Sequence, residues 1–117
     1  MARILRAARR KDQTMQRLTL VRYTTRPEHA AENEALARAV FAELRAVRPD
    51  GIAYLLFRDG DEWMHLFVNT RADDAAALTE LPSFKAYGRD VSARCVAPPE
   101  PQRLGLQLLE SYGLISD

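Results

Sequence analysis

Two strand-like runs joined by D-G-D constrain this chain more than any other feature. Ile52 to Arg58 reads I-A-Y-L-L-F-R, and Glu62 to about Thr70 reads E-W-M-H-L-F-V-N-T. The D-G-D between them supplies the backbone freedom of a tight hairpin, so the two runs are expected to pair antiparallel. Side chains alternate across a strand, which puts Trp63, His65, Phe67 and Asn69 on one face and Met64, Leu66 and Val68 on the other. A loop with an even number of residues adds Ile52, Tyr54 and Leu56 to the Trp63 face; an odd number exchanges these for Ala53, Leu55 and Phe57. One face is aliphatic. The other carries an indole, an imidazole and a carboxamide, which serve either as a pocket wall or as a few buried polar atoms.

Around this hairpin the remaining elements fall into order. Gln16 to Thr25, Q-R-L-T-L-V-R-Y-T-T, is β-branched and partly alternating, and is expected to form a first strand. Thr25 and Glu28 have capping-box spacing and Pro27 suits a first helical turn. Leu36, Ala37, Val40, Phe41, Leu44 and Val47 then recur at helical spacing, predicting a helix that stops near R-P-D-G, Arg48 to Gly51. Beyond the hairpin, Asp73 and Asp74 precede a short helical turn, A-A-A-L-T-E-L. Pro82 and Ser83 restart a helix through about Cys95, with Phe84, Tyr87, Val91 and Cys95 on one face. A-P-P-E-P, Ala97 to Pro101, is a stiff connector. R-L-G-L-Q-L-L-E-S-Y predicts a closing strand with Leu104, Leu106 and Leu108 on one side.

The order β-α-β-β-α-β is that of an α+β, ferredoxin-like fold. Right-handed crossovers give a four-stranded antiparallel sheet in the order 4-1-3-2 with both helices on one face. Both faces of the central strands are apolar, so the uncovered one is expected to meet a second copy in a homodimer, sheet against sheet. Leaving several hundred Å² of it in water costs on the order of 10 kcal/mol.

The totals limit the rest. At 117 residues, 47% hydrophobic and 28% charged, the chain suits one globular domain. We divide it into a basic extension, 1–14, and a single domain, 15–117. The extension holds five Arg or Lys and one Asp, and Met15 after it is an alternative start. The charges in this extension interrupt the apolar core that a secretory signal needs, and the longest apolar run, Ile52 to Phe57, is far short of a membrane span, so a cytoplasmic protein is expected. The rest of the chain is mildly acidic, which gives no support to nucleic-acid binding. One cysteine and two histidines exclude an intrachain disulfide and the usual metal clusters, and no metal or cofactor is expected.

Several stretches together resemble the dimeric α/β-barrel superfamily, and within it small bacterial proteins grouped with the antibiotic biosynthesis monooxygenases. They are T-T-R-P-E-H-A-A-E-N-E-A-L-A-R-A-V-F-A-E-L, the R-P-D-G turn, the aromatic hairpin, L-P-S-F-K-A-Y and the closing E-S-Y. The resemblance spans about Met15 to Gly113 and rests on element order and texture. It implies a homodimer with a pocket in each subunit between sheet and helices. Characterised relatives include cofactor-free quinone-forming monooxygenases and haem-degrading enzymes, and other members have no demonstrated catalysis. The tryptophan on the third strand of such sites is matched in type by Trp63. The first-strand asparagine and second-helix histidine of the haem-degrading members are not matched: strand one offers Arg22, Tyr23 and Thr24, and helix two offers Tyr87, which argues against haem degradation.

Cofactor-independent oxidation needs a substrate that can itself give an electron to oxygen, such as a phenolate, held dry and stabilised by hydrogen bonds. Trp63 N–H and the Tyr87 or Tyr54 hydroxyl can donate, Asn69 can do the same from the strand end, and His65 has a suitable intrinsic pKa of about 6.5. The candidate catalytic residues are therefore Trp63, His65 and Tyr87. The candidate substrate-binding residues are Tyr54, Asn69 and Arg22. Each has a structural counterpart: Trp63 as core or interface aromatic, His65 as a satisfied sheet histidine, Asn69 as a turn former, and Arg22 as the partner of Glu110 on a neighbouring strand. His29 is expected to be solvated and Cys95 buried as a small hydrophobe. Two functions follow: a cofactor-independent monooxygenase of a small aromatic or polyketide-like compound, or a non-catalytic dimeric domain that binds a small molecule or serves a stress response.

Overall fold

The structure, a computed structural model, describes residues 17–71, 75–106 and 108–113. The 1–14 extension, Met15, Gln16 and the helix-starting Asp73 and Asp74 lie outside the described residues. Its elements are β1 (Arg17–Thr24), a 3-10 turn (Pro27–His29), α1 (Ala30–Val47), β2 (Ile52–Asp59), β3 (Glu62–Asn69), α2 (Ala76–Thr79), α3 (Pro82–Arg89), α4 (Val91–Arg94) and β4 (Gln102–Leu104). The strands form one sheet in the order β2-β3-β1-β4, every pair antiparallel. This is the ferredoxin-like arrangement expected from the sequence.

The hairpin loop has two residues, Gly60 and Asp61, and only Gly60 of these has a positive φ, +62°. Glycine reaches that conformation without a Cβ penalty. The even loop sets the register Leu56↔His65, Tyr54↔Phe67 and Ile52↔Asn69, so these side chains share one face. On the other side of β3, Val21 lies opposite His65 and Tyr23 opposite Trp63. Along β3, Trp63, His65, Phe67 and Asn69 are buried while Met64, Leu66 and Val68 are only half-buried. The buried face is the one the helices cover. Ala37 and Val40 of α1, Leu78 of α2 and Tyr87 of α3 pack with Tyr23, Trp63 and Phe67 into one core. The opposite face carries Leu18, Leu20, Leu55, Met64, Leu66 and Val68, and its Phe57 is 48% exposed.

Four local expectations are corrected. Thr25 does not cap the first helix: the turn begins at Arg26 without a side-chain cap, because the Thr25 hydroxyl is fully buried and faces the core. The second long helix is broken at Asp90 (φ −125°, ψ 25°), and Cys95 lies past α4 in an extended conformation. The break lets the chain rejoin the sheet, where Cys95 bridges Thr25, Val96 N–H donates to Thr24 C=O at 2.8 Å, and Arg26 N–H to Arg94 C=O at 2.8 Å. β4 is three residues rather than ten. It pairs Leu104 with Leu18, one residue from Arg17, where the described part of β1 begins. That register also carries Glu110 away from Arg22, so the two are not opposite one another.

Arg48 ends α1 in a left-handed conformation, φ 54°, with its N–H on Leu44 C=O at 2.7 Å. A non-glycine residue there stores about 1 kcal/mol, offset by that closing bond.

Candidate functional site

The helix-covered face of the sheet meets α2, α3 and α4 around a cavity of about 380 Å³. Val21, Phe67, Leu78, Phe84 and Val91 make its apolar walls. Polar groups enter from Tyr54 on β2, His65 and Asn69 on β3, and Tyr87 on α3, and exposed Arg103 stands at its edge on β4. A volume of this size suits a small organic molecule.

His65 is central. Its Nδ1 is 2.7 Å from the Tyr54 hydroxyl, and its Nε2 is 2.8 Å from the Tyr23 hydroxyl and 3.2 Å from that of Tyr87. Tyr23 and Tyr87 hydroxyls are 2.6 Å apart. Asn33, on α1, donates from Nδ2 to the Tyr23 oxygen at 3.0 Å. Arg94 orients Asn33 by donating from Nε to its Oδ1 at 3.0 Å, and donates from Nη2 to the Tyr87 carbonyl at 2.7 Å. The rings pack as well as bond: Phe41 stacks on Tyr54 at 4.7 Å and Tyr23 on His65 at 5.4 Å.

Burial decides the charges. Removal from water pushes the His65 pKa down to about 4, so the imidazole is neutral at pH 7. The same effect raises Tyr23, Tyr54 and Tyr87, with neighbouring tyrosines adding to it for the last two. Arg94 is 2% exposed and has no carboxylate partner among the described residues. Its charge is held by the Asn33 and Tyr87 carbonyl oxygens and by the Tyr87 ring, 5.3 Å from its guanidinium carbon. The cavity wall is thus a neutral row of hydroxyls and one imidazole, backed by a buried cation.

The structure brings together His65, Tyr87 and Tyr54, and sets Asn69 in the same cavity. Asn69 Oδ1 also accepts the Arg71 N–H at 3.0 Å, the turn role open to a strand-end asparagine. Trp63 is separate. It stacks on Tyr23 at 6.3 Å, and its indole N–H donates to Thr25 Oγ1 at 3.0 Å, away from the cavity. Its outer edge meets a second hollow with Phe41, Leu56, Arg38, Arg45, Arg58 and Glu34, where the Arg58 guanidinium lies 4.7 Å from the indole ring. Arg38 and Arg58 hydrogen-bond Glu34 and hold its carboxyl below the usual range. Arg22 lies opposite Met64 on the other face of the sheet, out of reach of the cavity. His29 is on the surface beside Glu32, 3.2 Å away, and Cys95 is buried.

Tyr23, Asn33 and Arg94 were not among the sequence candidates. Asn33 carried a usable signal: it precedes Ala37 and Val40 at helical spacing, a carboxamide on an apolar stripe.

Comparisons with known proteins agree with this fold. No family model matches the sequence, and no curated protein matches it. Solved structures do. Rv0793 from Mycobacterium tuberculosis is 21% identical with a TM-score of 0.69, over 83% of this chain and 99% of that one. A "putative antibiotic biosynthesis monooxygenase" from Caulobacter crescentus CB15 is 21% identical with a TM-score of 0.67, over 80% of this chain and 91% of that one. PA3566 from Pseudomonas aeruginosa is 17% identical with a TM-score of 0.65, over 82% and 98%. The chain therefore has the α+β ferredoxin-like fold of these proteins, shared along nearly their full length. Among the described residues no helix is long and apolar enough to cross a membrane.

Proposed function

We propose that this protein is a cofactor-independent monooxygenase acting on a small aromatic or polyketide-like compound, as a homodimer joined through the open sheet face. The observation that supports this reading is the 380 Å³ apolar cavity with the Tyr54, His65 and Tyr87 polar groups on one wall. A phenol or enol bound there gives up its proton, through the Tyr54 or Tyr87 hydroxyl, to the unprotonated ring nitrogen of His65. The resulting anion accepts hydrogen bonds from the tyrosines, with the buried Arg94 charge behind them. The anion then supplies the electrons for oxygen: one oxygen atom enters the substrate and the other leaves as water. The Caulobacter protein's description as a monooxygenase agrees with the proposal. His65 and Tyr87 carry the chemistry in it and Tyr54 and Asn69 bind substrate, while Trp63 is kept as a packing residue and Arg22 drops out.

The test is oxygen uptake by the purified protein with a panel of anthrones and naphthoquinols. Saturable uptake that falls at least about 100-fold in Tyr87→Phe supports the proposal; a rate equal to buffer for the whole panel sinks it. A second reading, a non-catalytic binding domain, is favoured by one observation: His65 is pushed down to about 4 and is a weak base at neutral pH. Tight binding of panel members without oxygen uptake selects that reading. The dimer is tested separately, since Leu66→Glu on the open face should give a monomer by sedimentation.

A further inference from the structure

The hydroxyl row carries one more hydrogen than its short contacts can use. Tyr54, Tyr23 and Tyr87 each bring an O–H and neutral His65 brings one N–H, but the short contacts joining them are three, at 2.7, 2.8 and 2.6 Å. Two arrangements fill all three. In the first, Tyr87 donates to Tyr23, Tyr23 to Nε2, and Nδ1–H to Tyr54, leaving the Tyr54 hydrogen free. In the second, Tyr54 donates to Nδ1, Nε2–H to Tyr23, and Tyr23 to Tyr87, leaving the Tyr87 hydrogen free. Asn33 donates to the Tyr23 oxygen in both, so the middle of the row is equally satisfied either way. Tyr54 and Tyr87 both line the cavity, whereas Tyr23 lies behind its wall.

We propose that Tyr54, His65, Tyr23 and Tyr87 form a proton relay whose two ends open into one cavity, giving the site a redox-neutral activity: tautomerisation of a bound enolisable carbonyl compound. The inference rests on the cavity being a ligand site, as in the function proposed above. In ketonisation, the ligand carbon takes the free hydrogen of Tyr54 as a proton, and the π pair of the enol C=C becomes the new C–H bond while the O–H pair stays on the Tyr54 oxygen. The Nδ1 hydrogen moves to Tyr54, the Tyr23 hydrogen to Nε2, and the Tyr87 hydrogen to Tyr23. The enol O–H is transferred to Tyr87, and the electron pair of the broken O–H bond becomes the new C=O. Nothing is oxidised or reduced. The row passes from the first arrangement to the second and returns by exchange with water after the product leaves. Burial penalises every charged form along the row, and a concerted shift produces none of them.

The experiment uses the full chain with the enol of phenylpyruvate, whose ketonisation is followed by ultraviolet absorbance, and calorimetry to measure binding of the probe. The wild type should speed ketonisation about 100-fold over buffer. Tyr54→Phe and Tyr87→Phe should each return it to the buffer rate while keeping the probe affinity and the melting temperature within a few degrees. The double variant should be no slower, because a relay cut at either end is fully cut. Tyr23→Phe keeps only the 3.2 Å contact between Tyr87 and Nε2, and should lower kcat about tenfold with KM unchanged. Partial losses that multiply in the double variant would overturn the relay, as would failure to bind the probe. Binding without acceleration would overturn it too, and leaves the oxygen-uptake proposal to its own assay.

Discussion

Trp63 and His65 stand two residues apart on one face of one strand, both buried and both bearing a polar ring atom, yet they belong to different kinds of environment. The Trp63 N–H meets one buried hydroxyl, Thr25, and its requirement is then filled. Thr25 in turn lies against Asp61 and Cys95 at the closed end of the sheet. His65 meets three hydroxyls, of which those of Tyr23 and Tyr87 also meet each other, and Tyr54 and Tyr87 line a cavity. A closed pair fixes a structure; an open row with hydrogen to spare can respond to a ligand. Residue type alone did not separate the two positions. The number of partners and the presence of space did.

That contrast can be attacked at four points. The largest effect is expected from Arg94→Met, which strips Asn33 Oδ1 and the Tyr87 carbonyl of a buried charged donor; urea unfolding should show a loss of about 3 kcal/mol. A loss below 1 kcal/mol would mean the cation does not hold the row in place. Acid comes next. His65 sits at about 4 when folded and 6.5 when unfolded, so between these values the unfolded chain takes up a proton that the folded one refuses. Its contribution to stability is complete above pH 6.5, declines as the pH falls, and is gone below about 4, a change of about 3 kcal/mol. His65→Phe should remove that part of the slope in a pH series of melting curves.

Trp63→Phe should cost about 1–2 kcal/mol by leaving Thr25 without its donor, and should not alter ligand affinity in the cavity. An affinity change of tenfold would erase the distinction between the two sites. The smallest stability effect is expected from Tyr54→Phe, about 1 kcal/mol or less, because water in the cavity can take the place of its hydroxyl at Nδ1. For this variant thermal melting and turnover should therefore disagree, with turnover falling far more.

The sequence carried the strand order, through the order of its elements and right-handed crossovers, and the shared face of Trp63 and His65, through alternation; whether Tyr54 joins them turned on the parity of the hairpin loop, which has two residues, Gly60 and Asp61. It also placed Tyr87 on the buried side of its helix. What it could not convey was long-range closure. Thr25 looked like a helix cap from its local spacing, but the indole of Trp63, 38 residues away, takes its hydroxyl. Arg94 carries no local signal of its burial. It is enclosed because the chain breaks at Asp90 and turns back to β1, a path that no local propensity encodes. Asn33 is legible in principle, since it lies one turn before Leu36 on the stripe that Ala37 and Val40 continue.

The seam where Cys95 bridges Thr25 gives the protein a natural reporter. The chain has a single thiol, 1% exposed, and burial raises its pKa, so it is silent toward alkylating reagents while the seam is shut. Its labelling rate measures how often α4 lifts from the end of β1, a motion that would carry Arg94 away from Asn33 and Tyr87. Comparing that rate with and without a ligand in the cavity reads, from one sulfur atom and without any introduced probe, whether occupancy of the cavity that α4 helps to line also tightens the α4 seam.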